Sequence, residues 1–185
     1  TYSGLFIWKK VVDDGLSSPH HVSLNFYTSY NANNFKPFLF FDPWTRMLDM
    51  IPAEIVVRCS EMVPGGNLDR MAGNYAALTN DSNLTCYEQD SIWFSPACRR
   101  NTTECVPVLC QYEYASIMQN AFWLNLPIAL LRVRFGEPRF DTAYYSAVRN
   151  GSFLFGWFTP DDTLVDGRGN LPLWLNLPPA NHLEQ

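Results

Sequence analysis

The stretch from Cys98 to Pro160 switches its hydrophobic period repeatedly, and that alternation constrains the fold more than any other feature of the chain. CVPVLC (105–110) is short, β-branched and preceded by a polar loop, which predicts a buried strand. YEYASIMQNAFWLNL (112–126) sets Tyr114, Ile117, Met118, Phe122 and Leu126 at helical spacing, and Pro127 stops it. IALLRVRF (128–135) predicts the next strand. Asp141 is a candidate N-cap for a helix over TAYYSAVRN, with Gly151 as its left-handed C-terminal residue. SFLFGWF (152–158) predicts a third strand. Three strands separated by two helices, with short connections, imply right-handed βαβ crossovers and a parallel sheet. The expected fold class is α/β: a parallel-sheet βαβαβ lobe with disulfide-bearing loop elaborations.

The first hundred residues carry weaker patterns. GLFIWKKVV (4–12) reads as a strand that becomes exposed at Lys9 and Lys10, and VSLNFYT (22–28) as another. DPWTRMLDM (42–50) begins with a capping Asp and a Pro at the first helical position. AEIVVRCSEM (53–62) fits helix or strand, VPGG (63–66) a turn, and LDRMAGNYAAL (68–78) a helix. From TNDSNLTC to PACRRNTTEC the chain makes a long polar excursion interrupted by SIWF. There is no internal repeat and no low-complexity tract.

A chain of 185 residues can bury one sizeable core or two small lobes. Charged residues make up only 17%, and the net charge is −5 with Lys and Arg scattered, which argues against a nucleic-acid surface. The longest apolar run, AFWLNLPIALL (121–131), falls far short of the ~20 residues a membrane helix needs. The N-terminal TYSGLFIWKK lacks a signal-peptide pattern, and the chain is expected to be a segment of a larger protein.

Cysteines and sequons point to the secretory route, with an extracellular or cell-surface location. Asn80, Asn83, Asn101 and Asn150 each open an N-x-S/T sequon, and the first three lie in loop-like stretches that also hold cysteines. Cys98 and Cys105 flank RRNTTE, a loop that a disulfide can close. Cys59 with Cys86 is the second bridge expected, leaving Cys110 either buried and reduced or paired outside this segment.

Catalytic patterns are not found. No P-loop, G-x-G-x-x-G or G-x-S-x-G element occurs, so neither a catalytic residue nor a cofactor is expected. His20 and His21 are adjacent in a loop, and neighbours rarely aim at one metal, so no metal site is expected either. Asp161 and Asp162 follow Pro160, where a turn explains them.

Aromatic residues, at 15%, exceed what a core needs and supply material for a binding cage. In SFLFGWF, Phe153, Phe155 and Trp157 share one face of the strand, with Leu154, Gly156 and Phe158 on the other. In open α/β sheets ligands sit beyond the carboxyl ends of the strands. Trp157 lies at such an end, and Tyr112 directly follows the first strand. The alternative is that all these rings pack against helices.

CRRNTTECVPVL (98–109), IMQ (117–119), FGWFTPDDTL (155–164) and NLPPANHLE (176–184) together resemble substrate-binding domains of the glycine-betaine ABC-transporter type, in the form found as extracellular modules of algal and protist proteins. GLFIWKKVV is similar to the strand that enters the second lobe of such proteins. The resemblance covers about half of the chain, mainly 98–184. It implies a type II periplasmic-binding-protein fold, two α/β lobes clamping ligand between them. Here 1–185 would form one domain or lobe, with 4–12 entering, 98–160 as core and 161–185 leaving. The cage aromatics would fall on Trp157, Tyr112 and Phe158, and Asp161 matches the acidic residue after the family's Pro. Relatives carry an aromatic where Gly156 stands, and a glycine-rich loop in place of CQYEY. Two functions follow as expectations. One is a non-catalytic module recognising a small zwitterionic or quaternary-ammonium solute. The other is a structural glycoprotein domain that packs against other chains in an extracellular assembly.

Overall fold

In a computed structural model of the protein, residues 2–15, 21–22, 27–28, 39–62, 86–111, 114–159, 164 and 172–176 are described. The strands are β1 (Tyr2–Trp8), β2 (His21–Val22), β3 (Tyr27–Thr28), β4 (Leu39–Phe40), β5 (Cys86–Tyr87), β6 (Ile92–Phe94), β7 (Val106–Cys110), β8 (Ile128–Arg132), β9 (Leu154–Thr159) and β10 (Pro172–Asn176). The helices are α1 (Lys9–Gly15), α2 (Trp44–Asp49), α3 (Cys59–Met62), α4 (Tyr114–Trp123) and α5 (Pro138–Asn150). Eight strands form one sheet in the order β3-β10-β1-β9-β7-β8-β6-β5, and β2 pairs with β4 separately. The architecture is mixed α/β with disulfide-bonded loops.

The expected alternation over 98–160 is present as β7-α4-β8-α5-β9. Its three strands are parallel, with β7 between β8 and β9. Every residue of β7 and of β8 is buried, as strands covered on both faces must be. Pro107 is tolerated in this central strand because Val106 N–H already faces Pro127 O on the β8 side, while β9 pairs only with Val108 and Leu109.

The sheet as a whole is not parallel. β1 runs antiparallel to both β9 and β10, β6 to β8, and β5 to β6. The segment 4–12 is also not one strand. β1 ends at Trp8 and α1 starts at Lys9, where Lys9 pairs with Asp13 one turn later at 2.5 Å. Gly15 ends α1 against β4, and a Cβ there would stand 2.5 Å from Leu39 Cα, so only glycine fits. Residues 172–176, expected to be part of a departing segment, form a strand beside β1.

Helix starts also differ from expectation. Pro43, not Asp42, occupies the N-cap of α2. The buried Asp42 carboxylate instead accepts Ser152 N–H at 2.8 Å and the Arg46 guanidinium at 2.9 Å, and Asp42 N–H returns a bond to Ser152 O. Glu137 caps α5 in place of Asp141, because Pro138 suits the first helical position and lengthens the helix by a turn. Gly151 is extended (φ −103°) and not left-handed. Its lack of a side chain makes room for the buried Phe153 ring, whose Cε1 would lie 1.8 Å from an added Cβ. The ambiguous 53–62 resolves into a 3₁₀ turn over Ala53–Ile55, a bridge from Val56 to Val133, and α3. Of VSLNFYT, only Val22, Tyr27 and Thr28 are described, as ends of β2 and β3; the helix expected at 68–78 lies outside the described residues.

Strand register sets which side chains share a face. Phe6 and Phe155 are cross-strand partners, and Trp8 donates its indole N–H to Val148 O of α5 at 2.6 Å. Cys110 and Arg132 are partners on the opposite face, where the Arg132 guanidinium lies over Tyr114 of α4. The two crossover helices therefore cover opposite faces of the parallel strands.

Candidate functional site

β8 is apolar until its last residue, Arg132, which is 2% exposed. Its aliphatic stem continues the strand's packing and brings a guanidinium to the carboxyl end of the sheet. Nε donates to Gln111 O at 2.8 Å. The guanidinium carbon stands 3.9 Å from the Tyr114 ring centre, a cation–π contact, and 6.0 Å from that of Phe135. Burial pulls the Arg132 pKa down, while Tyr114, Cys110 and, least of all, Glu61 oppose the shift. Nη1 is buried and has no hydrogen-bond partner among the described residues.

Beside this group lies an open cleft of ≈ 310 Å³, lined by Val57, Arg132, Arg134, Phe135, Glu137 and Phe140. Residues 132–134 are held from both sides. Val57 N–H donates to Arg132 O, Arg134 N–H to Ile55 O, and Val133 N–H to Cys110 O. Gln111 Nε2 donates to Arg134 O at 3.2 Å and to Asp141 Oδ1 at 3.1 Å, fixing the start of α5 against the strand ends.

The other charges at this cleft are matched. Arg134 lies 3.7 Å from Glu61, which Arg58 also approaches at 3.8 Å. Glu137 pairs with Arg139 at 2.8 Å, and Arg139 covers the Phe140 ring at 4.7 Å. Arg132 alone among the lining charges has no carboxylate at ion-pair distance among the described residues. An unpaired buried cation is costly, by several kcal/mol after relaxation. The arrangement can therefore accept an anion.

Of the four residues expected to bind ligand, Trp157 is described fully. It is 7% exposed, with its ring meeting Phe6 edge-on at a centroid distance of 5.0 Å. Its indole Nε1 is buried without a hydrogen-bond partner among the described residues. By register Trp157 belongs to the face opposite Arg132. Beside it, Gly156 O accepts the Tyr144 hydroxyl, with Leu109 O 3.4 Å away, so Tyr144 spans β7 and β9 where their pairing has ended. Tyr112 and Asp161, and the side chain of Phe158, lie outside the described residues.

Both expected disulfides are present, Cys59–Cys86 and Cys98–Cys105, and Cys110 is buried and belongs to neither. Asn101 and Asn150 are exposed; Asn80 and Asn83 lie outside the described residues. Thr103 Oγ1 donates to Asn101 Oδ1 at 2.6 Å within the first of these sequons, whereas Asn150 Nδ2 donates to Ser146 O at 2.8 Å. Cys59, Cys86 and Asp90 bring potential metal-ligating atoms within 4.8 Å of one another, but the two sulfurs are spent on each other and Asp90 accepts Ser60 N–H at 3.0 Å.

Arg132 and Gln111 were not among the expected site residues. The available signal was an arginine ending a run of four apolar residues, at the carboxyl end of a strand with a helix on either side. Comparison with protein-family models, curated proteins and solved structures finds no match.

Proposed function

We propose that the chain is a non-catalytic, extracellular binding module that holds a small zwitterionic solute beyond the carboxyl ends of its parallel strands, in the manner of one lobe of a periplasmic-binding-protein-like domain. The observation that carries the reading is the cleft there, whose lining joins unequal charges and aromatic rings: Arg132, Arg134 and Glu137 with Phe135 and Phe140. A zwitterion presents both signs to such a lining, and the order β9-β7-β8 puts the chain reversal of an open α/β sheet at the same end. The two disulfides support a secretory route, since such bridges persist in oxidising compartments. Calorimetry and thermal shift with glycine betaine, choline and related osmolytes test the reading. Saturable binding of a zwitterion is expected, and an absence of heat and of any shift across the set would sink it.

A second reading, a structural glycoprotein domain within an assembly, is favoured by one observation. Trp157, the aromatic expected to face ligand, is packed on Phe6 inside the sheet. On that reading the domain is a solid building block, and exposed Trp123 belongs to a contact with another chain.

A further inference from the structure

We infer that Arg132 is the recognition residue of the cleft and that what it recognises is a carboxylate, so that solute is selected by its anionic end and not by its ammonium. The inference rests on the binding-module reading and sharpens it. Three observations lead to it.

The first is the orphaned nitrogen. Arg132 Nε is used by Gln111 O, but Nη1, equally buried, has no hydrogen-bond partner among the described residues. A buried donor left unmade costs free energy that a ligand oxygen restores on binding. The unspent nitrogen can donate one charge-assisted hydrogen bond to a carboxylate oxygen.

The second is the occupation of the aromatic rings. The surfaces that would cage an ammonium already carry arginines. Arg132 lies over Tyr114 and near Phe135, and Arg139 lies over Phe140. A cationic ligand group would have to displace a resident cation, with a like charge beside it. An anion meets no such obstacle.

The third is the charge balance of the lining. Glu61 and Glu137 face Arg134 and Arg139 within 3.7 and 2.8 Å, and Arg132 has no carboxylate at ion-pair distance among the described residues. Glu137 in the same lining opposes a doubly charged phosphate more than a carboxylate with a single charge.

The test follows the Arg132 side-chain NH signals by NMR in the intact, disulfide-bonded protein, with Arg132→Lys used for assignment. Acetate, glycine betaine, inorganic phosphate and choline are the probes. Acetate and betaine are expected to shift the Arg132 signals saturably, and choline is expected to leave them in place. Arg132→Met keeps the apolar stem but loses the bond to Gln111 O, and should bind betaine at least ~30-fold more weakly. Solute binding that leaves the Arg132 signals unmoved, or choline binding as well as betaine, overturns this inference and leaves the module reading standing. Silence of every signal with every probe overturns both. A phosphate response stronger than the acetate response contradicts the assignment of a carboxylate. Should Arg132→Met fail to fold, the wild-type titrations decide the matter alone.

Discussion

The Arg132 guanidinium lies over the Tyr114 ring, 3.9 Å from its centre, and the two groups are buried at the junction of β8 and α4. Each shapes the other's ionisation. Burial raises the Tyr114 pKa above its ordinary 10.0, and the charge of Arg132 works against that rise. Burial likewise lowers the Arg132 pKa. The pair covers one face of the cation, and Nη1 stays buried without a hydrogen-bond partner among the described residues.

A pH dependence follows from Tyr114. The folded chain keeps the phenolic proton where the unfolded chain has lost it, so the associated stability is complete below pH 10.0 and disappears as pH rises through the folded value. Arg132 has the opposite sign, because burial lowers its folded pKa, so its contribution rises with pH where that of Tyr114 falls. Urea unfolding of wild type and Tyr114→Phe at a series of pH values separates the two. The wild type should lose stability more steeply above pH 10.0 than the variant, and equal slopes would contradict the account.

The disulfides differ in the chain they close. Cys59–Cys86 spans 27 residues and Cys98–Cys105 spans 7. On the chain-entropy model the longer loop contributes about 3.5 kcal/mol and the shorter about 2.4 kcal/mol. Replacing both members of each pair by serine should therefore destabilise the Cys59–Cys86 variant more, measured as the urea midpoint. A thiol reagent should find Cys110 only in denaturant, since its side chain is fully buried.

How much of this was legible in the sequence depends on the range of the interactions. The β7-α4-β8-α5-β9 unit was legible because period, caps and breakers act over a few residues, as in the Tyr114-to-Leu126 stripe ending at Pro127. The antiparallel flanks were not. Phe6 reaches Phe155 and Trp174 only through pairings that span most of the chain and leave no local mark. Asp42 looked like a helix cap because Asp-Pro is a local signal, yet Ser152 claims its carboxylate from 110 residues away. Arg132 was hidden for a related reason. In LLRVRF both arginines sit in an apparent strand, and only the packing of α4 decides that Arg132 is buried while Arg134 reaches solvent and Glu61.

Glycan attachment tests the compartment. Asn101 is exposed on the loop closed by Cys98 and Cys105, and its sequon threonine already meets the asparagine side chain. The protein secreted from eukaryotic cells should carry a glycan at Asn101. Asn101→Gln should then remove one endoglycosidase-sensitive mobility step. A secreted product whose mobility neither the enzyme nor the substitution changes would count against the extracellular reading.

The most direct test of the binding account is a crystal structure of the protein soaked with glycine betaine. The account predicts the solute in the cleft beside Val57, Phe135 and Phe140, with a carboxylate oxygen at hydrogen-bond distance from the Arg132 guanidinium. Solute seated against Trp157 on the other face, with Arg132 unchanged, would contradict it.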